Sequence, residues 1–282
     1  MQLVRCLKAL QCLNYPRDLF EVIIVDDGSD ISAASQLETF RDTLNIVLVE
    51  QANAGAASAR NAGAARARGR FLVFTDDDCV PAPDLLCSLA QQFARTSDCL
   101  VGGKIVNGLP DNSYSEASQL LLDYLYFYYN PEQRGATFLA SMNMAMLLER
   151  FLDLGGFDTQ FTGAGGEDRE FCDRWLAAGW SMLYSPGAKI IHWHDLNVRS
   201  FWRQHFNYGK GGYRFGQCHK ILHGERVRIE GIGFYAGMLM YPLRRLPITR
   251  ALLICPLIWI SQAANVLGYL TESYSGRSQV FR

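Results

Sequence analysis

The chain has 282 residues, of which 49% are hydrophobic, and its 27 basic residues nearly balance 28 acidic ones. This composition is typical of a soluble globular protein with a substantial core, and a formal net charge of -1 gives no basis for nucleic-acid binding. The eight cysteines are scattered without a CxxC pair, which argues against a cysteine-based zinc site and predicts reduced thiols in a reducing compartment.

The first half of the chain alternates between predicted helices and strands. Continuous apolar runs predict strands that are covered on both faces. The predicted elements are a helix at 3–13, strands at 22–25, 46–49 and 71–74, and helices at 33–42 and 55–68. This alternation predicts an α/β fold with a doubly wound, mostly parallel sheet and helices on both faces. No strand precedes the first helix, so either the sheet starts at Val22 or an N-terminal strand is absent from this sequence.

The pattern changes after Lys104. The predicted elements there are an aromatic helix at 115–129, short strands at 138–140 and 145–148, a helix at about 167–178, and strands at 181–184 and 188–192. From about residue 200 the composition shifts towards arginine, glycine and aromatic residues. We therefore predict an α/β domain at 1–199 and a helical C-terminal region at 200–282.

Three consecutive carboxylates, Asp76, Asp77 and Asp78, follow the strand at 71–74. Open α/β sheets bind their ligands at the carboxyl ends of strands, where these side chains would lie. A hard cation such as Mg²⁺ or Mn²⁺ would neutralise them, because it takes one or two carboxylates together with substrate phosphates. The alternative is an acidic turn without a ligand.

Two earlier segments carry polar groups suited to a nucleotide. Asp26 and Asp27 end the strand at 22–25, where they can accept hydrogen bonds from a base or a ribose, although a structural turn explains them as well. Arg60 lies in a helix start rich in small residues, from which it could reach a diphosphate. An alanine-rich helix with one solvated arginine is the alternative.

A glycine loop at 163–166 leads into Glu167 and Asp168 at the start of a helix. Carboxylates at that position cap free backbone amides, and they also suit a general base aimed into a site. His192 and His194 end a short strand and point to opposite faces, so at most one should face a site. A packed histidine without a ligand is the alternative for both.

In this order, these elements resemble glycosyltransferase family 2, the inverting enzymes with the GT-A fold. The resemblance covers about residues 3–195. The motifs that carry it are the strand end at 25–29, the helix start at 53–63, Asp76-Asp77-Asp78, Gly155-Gly156-Phe157-Asp158, Glu167-Asp168 and His192.

The resemblance implies a role for each of these residues. Asp26 and Asp27 would contact the nucleotide base, with Arg60 near the nucleotide. Asp76 and Asp78 would form the Asp-x-Asp pair on the ribose side and the metal, and Asp77 would belong to the donor site as its least constrained member. Asp168 would be the catalytic base, supported by Glu167. His192 rather than His194 would complete the metal shell.

The implied activity is that of a metal-dependent inverting hexosyltransferase. It would use Mg²⁺ or Mn²⁺ and a nucleotide-sugar donor, with a UDP-sugar favoured, to glycosylate a cell-envelope or lipid-linked glycan. The family begins with an apolar strand ending in a turn that holds part of the nucleotide, and this sequence starts in the helix after it. An inactive scaffold or sugar-binding module is therefore one alternative, and a nucleotidyltransferase is another.

The last fifty residues contain two uncharged stretches, at 231–243 and 251–271, joined by a loop with Arg244, Arg245 and Arg250. Polar residues within the second stretch favour in-plane helices over a span, with arginines facing anionic lipid. A helical hairpin packed on the catalytic domain is the alternative. We predict peripheral membrane contact through 230–271 and a cytoplasmic location at the inner face of the membrane.

Overall fold

The computed structural model describes residues 2–131, 135–161, 163 and 165–280, with side chains up to residue 275. Ala164 of the predicted glycine loop lies outside the described residues. The helices are α1 (Gln2–Gln11), α2 (Ala34–Leu37), α3 (Ala56–Ala64), α4 (Leu85–Arg95), α5 (Ser113–Tyr129), α6 (Leu148–Asp153), α7 (Glu167–Ala177), α8 (Val198–His223), α9 (Ile232–Arg245) and α10 (Ile248–Val280). The strands are β1 (Val22–Asp27), β2 (Ile46–Gln51), β3 (Phe71–Thr75), β4 (Cys79–Pro81), β5 (Cys99–Asn107), β6 (Asn143–Leu147) and β7 (Ser181–His192).

The strands form two sheets. β1 and β2 make a parallel pair with Val22 opposite Ile46, and the other five strands have the order β3-β6-β5-β7-β4. The α/β class is as predicted, but the larger sheet is mixed rather than mostly parallel. Only β5 and β7 pair in parallel there, while β6 runs against both of its neighbours and β4 against β7. β6 is antiparallel to β3 and β5 because the chain enters this strand from the opposite end of the sheet.

One predicted strand is absent. Residues 138–140 make no strand ladder, because side chains bind their backbone amides instead. Asn130 Oδ1 accepts hydrogen bonds from the Thr137 and Phe138 amides, and the Tyr126 hydroxyl accepts one from Ala140 N at 2.8 Å. The two strands predicted at 181–184 and 188–192 are one strand, β7, with a register irregularity opposite Gly103 and Lys104.

An interruption separates β1 from β3. Among the described residues, each of these strands pairs with one neighbour only, β1 with β2 and β3 with β6. Residues of both strands line one cavity of about 1810 Å³, together with apolar side chains of α1 and α4 such as Leu10 and Phe93. In the described chain the two sheets therefore face each other across this cavity without a shared strand ladder.

The C-terminal helices pack through small residues and share a core with α5. A Cβ on Gly209 of α8 would lie 1.9 Å from Asn265 O of α10, and one on Gly268 would lie 1.9 Å from Phe206 O. These close approaches require glycine. Buried side chains from the four helices form one cluster: Leu120, Tyr124, Phe201, Met238 and Ile254 belong to it. The division of the chain at residue 200 stays a prediction; α8 begins at Val198.

Candidate active site

Asp26 and Asp27 end β1, and both carboxylates bind backbone amides. Asp26 accepts hydrogen bonds from the amides of Ser29 and Ala33, each at 2.9 Å, and these bonds lower the pKa of Asp26. Asp27 accepts from the amides of Ala54 and Gly55 at 2.9 and 2.8 Å. The pair therefore shapes the two loops that follow β1 and β2. Their predicted contact with a nucleotide base stays a prediction.

The three aspartates after β3 have different surroundings. Asp76 binds Arg60, Asp77 is exposed, and Asp78 lies beside His192 of β7, with Oδ2 3.3 Å from Nε2. Burial opposes ionisation of Asp78, but its hydrogen bond with His192 and the charge on that ring lower the pKa of the carboxyl. For Asp77, desolvation and then the charges of Asp78 and Asp76 raise the pKa. Of Asp77 and Asp78, the latter is thus the better held as a carboxylate.

Arg60 of α3 connects carboxylates from two distant parts of the chain. Its Nη2 lies 2.9 Å from Asp76 Oδ1, and its Nη1 lies 3.1 Å from Glu167 Oε1. Desolvation disfavours the charged guanidinium, but Asp76 and Glu167 outweigh it and raise the pKa of Arg60. Glu167 also accepts a hydrogen bond from Gly165 N at 2.9 Å. Arg60 and Glu167 therefore hold the start of α7 against the end of β3.

Asp168 follows Glu167 at the start of α7 and faces the same cavity. Its Oδ1 accepts from its neighbour Arg169 N at 3.0 Å, and Ser141 N lies 3.4 Å from Oδ2. Desolvation and the adjacent charge of Glu167 raise the pKa of Asp168 to about 7. A carboxyl that titrates near neutral pH can take up a proton during a reaction and release it afterwards.

Asp78 and His192 are the residues that fit a cation on the donor side. Their ligand atoms, together with the thiol of Cys79, all lie within 4.8 Å of one another. Cys79 is fully buried, and desolvation raises the pKa of its thiol, so the group stays protonated and is a poor ligand for a hard cation. Asp76, the other predicted ligand, instead binds Arg60.

The C-terminal helix α8 supplies a wall of the site that the sequence reasoning missed. Tyr208 and His205 line the cavity, and α8 packs directly on the glycine loop before Asp168. A Cβ on Gly211 would lie 1.9 Å from Gly165 O, and Gly165 and Gly166 have φ of +108° and +99°. Four glycines within α8 were the available signal, since glycines inside a helix indicate close approach of another backbone.

All nine predicted site residues line the cavity of about 1810 Å³ that lies between β1 and β3: Asp26, Asp27, Arg60, Asp76, Asp77, Asp78, Glu167, Asp168 and His192. The structure thus brings the three carboxylate groups of the sequence motifs together. His194 stacks on His192 with ring centroids 4.5 Å apart, and both side chains line the cavity. The prediction that the two rings point to opposite faces was wrong, because residues i and i+2 of an extended strand lie on the same face. Burial followed by the charge of His192 lowers the pKa of His194 to about 4.

Comparison with known sequences decides the family. A sequence model described as Glycosyl transferase family 2 matches residues 2–155, more than half of the chain. The chain belongs to glycosyltransferase family 2. A second model, described as the N-terminal domain of galactosyltransferase, matches residues 126–194 and so includes Asp168 and His192. These matches confirm the predicted family and the predicted class of enzyme.

Among curated relatives, glycosyltransferase AglE of Haloferax volcanii is 26% identical over 98% of this chain and 92% of its own length. The pre-mycofactocin glycosyltransferase of Mycobacterium tuberculosis is 30% identical over 67% of this chain. That match covers only 40% of the mycobacterial protein, so this family 2 chain spans less than half of that relative.

Solved structures confirm the GT-A type of fold. The mannosyltransferase PcManGT from Pyrobaculum calidifontis, in complex with GDP-Man and Mn²⁺, superposes with a TM-score of 0.66 at 18% identity. That match covers 97% of the family 2 chain and 84% of the mannosyltransferase. TarS of S. aureus matches 99% of this chain and 88% of its own, with a TM-score of 0.52 and 19% identity.

Proposed function

We propose that this chain is a metal-dependent inverting glycosyltransferase that moves a sugar from a nucleotide-sugar to an acceptor hydroxyl. One observation carries the proposal: Arg60 binds both Asp76 and Glu167, which draws the strand-end aspartates and the base candidate Asp168 into one cavity. A transferase needs this proximity, because the leaving diphosphate and the attacking hydroxyl react at the same carbon.

Asp168 is proposed as the general base. Its carboxylate takes the proton from the acceptor hydroxyl while that oxygen attacks the anomeric carbon. The bond from this carbon to the diphosphate breaks in the same displacement, and the nucleoside diphosphate leaves on the opposite face. No covalent intermediate on the protein is required, so the anomeric configuration inverts. The raised pKa of Asp168, about 7, suits a group that must bind this proton.

Asp78 and His192 would hold the cation, and Asp76 and Asp77 would complete the donor side. A bound Mg²⁺ or Mn²⁺ would neutralise the diphosphate charge that grows as the bond breaks. Asp26 and Asp27 would order the loops around the nucleotide base; their hydrogen bonds to the amides of those loops support this role. The nucleotide sugars GDP-Man and UDP-GlcNAc bound to related folds support this class of donor, and UDP-sugars are the first to test.

A thermal-shift screen of nucleotide-sugars tests this proposal. The purified chain is mixed with UDP- and GDP-sugars, with and without Mn²⁺, and with excess chelator. We expect stabilisation that needs the metal and is lost in Asp78→Ala, while Asp42→Ala, at an exposed aspartate that does not line the cavity, behaves as the unmodified chain. A metal-independent response in Asp78→Ala contradicts the metal site. No response to any donor favours the scaffold alternative.

We further propose that the enzyme works at the cytoplasmic face of a membrane on a cell-envelope or lipid-linked glycan. One described helix, over Ile248–Ser275, is long and apolar enough to cross a membrane by length and composition. The outward face of α10 carries no charge between Ala251 and Thr271 and exposes large apolar side chains: Leu252, Leu253, Trp259, Val266, Leu267 and Leu270. Such a face with adjacent arginines favours contact with anionic lipid through 230–271.

Vesicle flotation tests the membrane proposal. Vesicles with and without anionic phosphatidylglycerol are mixed with the chain, and the double variant Leu253→Glu, Trp259→Glu serves as the comparison. We expect the unmodified chain to float with anionic vesicles and the variant to stay at the bottom. Equal flotation of both proteins would show that α10 does not make the contact.

A further inference from the structure

A second cluster of metal-ligating side chains lies outside the donor site. His219 and His223 are four residues apart on α8, so their rings share one face of the helix, with centroids 4.3 Å apart. Asp173 of α7 faces both rings. Its Oδ2 lies 2.8 Å from His219 Nδ1, and its Oδ1 lies 3.1 Å from His223 Nε2. One ligand atom from each residue lies within 4.8 Å of the other two.

The side chains of this cluster are accessible from solvent. Asp173, His219 and His223 expose 18%, 21% and 32% of their side chains, so an ion can enter and water can complete its coordination. Two imidazoles and a carboxylate are the ligands that Zn²⁺ and similar first-row cations take, with a position left open. Mg²⁺ and Ca²⁺ prefer oxygen ligands alone, which distinguishes this cluster from the carboxylates after β3.

We propose that Asp173, His219 and His223 form a second cation site, for Zn²⁺ or a similar first-row divalent ion, that cross-links α7 to α8. The bound ion would replace the hydrogen bonds that Asp173 now shares with the two rings. Both helices also meet at the glycine loop, where Gly211 of α8 packs on Gly165 and Gly166 just before Asp168. The site would therefore fix the far end of the helix pair that positions the base.

Cobalt titration of the full chain tests this site, because Co²⁺ in a zinc site gives visible absorption bands. The protein is first stripped with chelator. We expect the unmodified chain to show these bands and the double variant His219→Gln, His223→Gln to lack them. We also expect Zn²⁺ to raise the Tm of the unmodified chain by about 5 °C, and the double variant not to respond. Equal cobalt spectra from the two proteins would reject the site.

A second variant keeps the test valid if the double variant folds poorly. Asp173→Asn retains a hydrogen-bond acceptor for one ring but loses the charge, and it should weaken Co²⁺ binding at least tenfold while melting normally in chelator. Unchanged Co²⁺ affinity in this variant would overturn the proposal. Asp78→Ala serves as the matched control, since it removes the proposed donor-side ligand and should keep the cobalt bands. The outcome is thus separate from that of the donor screen.

Discussion

Arg60 and Asp76 form an ion pair across the interruption in the sheet. Arg60 belongs to α3, which packs on β1, where a Cβ on Gly63 would lie 3.1 Å from Val25. Asp76 follows β3 of the five-stranded sheet, and 2.9 Å separates its Oδ1 from Arg60 Nη2. In the described chain, β1 and β3 belong to different sheets and are not paired through backbone hydrogen bonds. The relative position of the two halves of the donor site therefore depends on side-chain contacts: this ion pair, and the hydrogen bonds that Asn61 of α3 makes with the backbone of Phe157.

Replacement of Arg60 tests that dependence. In Arg60→Met, the buried Glu167 loses its cation, and we expect a loss of about 3 kcal/mol in the free energy of unfolding. Urea denaturation followed by circular dichroism measures it. Arg66→Met, at an exposed arginine of the same region, should change stability by less than about 0.5 kcal/mol. Equal midpoints for the two variants would show that the bridge does not stabilise the fold.

Removal of the base candidate should separate catalysis from binding. Asp168→Asn keeps the size of the side chain but cannot take the acceptor proton, so we expect transfer to fall by about 10³ or more. Donor affinity, measured by calorimetry in Mn²⁺, should stay within about threefold because the donor contacts lie elsewhere in the cavity. Asp153→Asn, at an exposed aspartate, is the matched control. A variant that turns over normally would remove Asp168 from this role.

The pH profile should follow the same carboxyl. Desolvation and the charge of Glu167 raise the pKa of Asp168 to about 7, so the ionised base is lost as the pH falls through that value. We expect kcat/KM to fall about tenfold per pH unit below 7 and to level off above it. The measurement uses saturating metal at each pH. A profile flat down to pH 5 would contradict the assignment.

Stability should show the opposite trend for this residue. The folded-state pKa of Asp168 is raised above its unfolded value, so its ionisation costs stability as the pH rises from about 4 to about 7. Asp168→Asn removes that cost and should be more stable than the unmodified chain at pH 8, by ~4 kcal/mol at most. At pH 3.5 the two proteins should unfold together. A lower Tm for the variant at pH 8 would refute this.

Two adjacent glycines of α8 offer a matched pair of substitutions. A Cβ on Gly211 would meet the backbone of the Gly165 loop, whereas one on Gly212 would meet nothing within 4 Å. We expect Gly211→Ala to cost about 1–3 kcal/mol and to lower kcat about tenfold, because the loop before Asp168 must shift. Gly212→Ala should be neutral or stabilise the helix by about 0.5–1 kcal/mol. Similar effects at both positions would argue against the loop contact.

The sequence predicted the parts of the fold that depend on local pattern. The apolar runs at 22–25, 46–49 and 71–74 became β1, β2 and β3 because β-branched and aromatic residues favour strands. The expectation that these strands are covered on both faces was wrong, since most of their side chains are only half-buried. β5 escaped prediction, since Gly102 and Gly103 interrupt its apolar pattern; a Cβ on Gly102 would lie 2.2 Å from Leu139. The strand expected at 138–140 was wrong because Asn130 and Tyr126 bind its amides, and sequence spacing does not reveal such partners.

The site was predictable as a set of motifs but not as a set of contacts. The carboxylates of Asp76, Asp78 and Asp168 follow strand ends and helix starts, which local rules place. The partners of Arg60 depend on how α3 meets α7, and the wall formed by Tyr208 depends on how α8 crosses the glycine loop. Both features depend on packing between residues far apart in the sequence. Motif spacing therefore predicted which side chains belong to the site but not which of them contact each other.

The separate pairing of β1 with β2 also has a consequence for the motions of the protein. A two-stranded unit whose strand hydrogen bonds are all internal can open without breaking the ladder of its neighbour. Its backbone amides should therefore exchange with deuterium through a partial unfolding that leaves β5 and β7 protected. Asp27 ends β1 of this two-stranded unit, and Asp78 lies between β3 and β4 of the five-stranded sheet. A ligand that touches both would slow that exchange, and the donor would thus complete the fold as well as react.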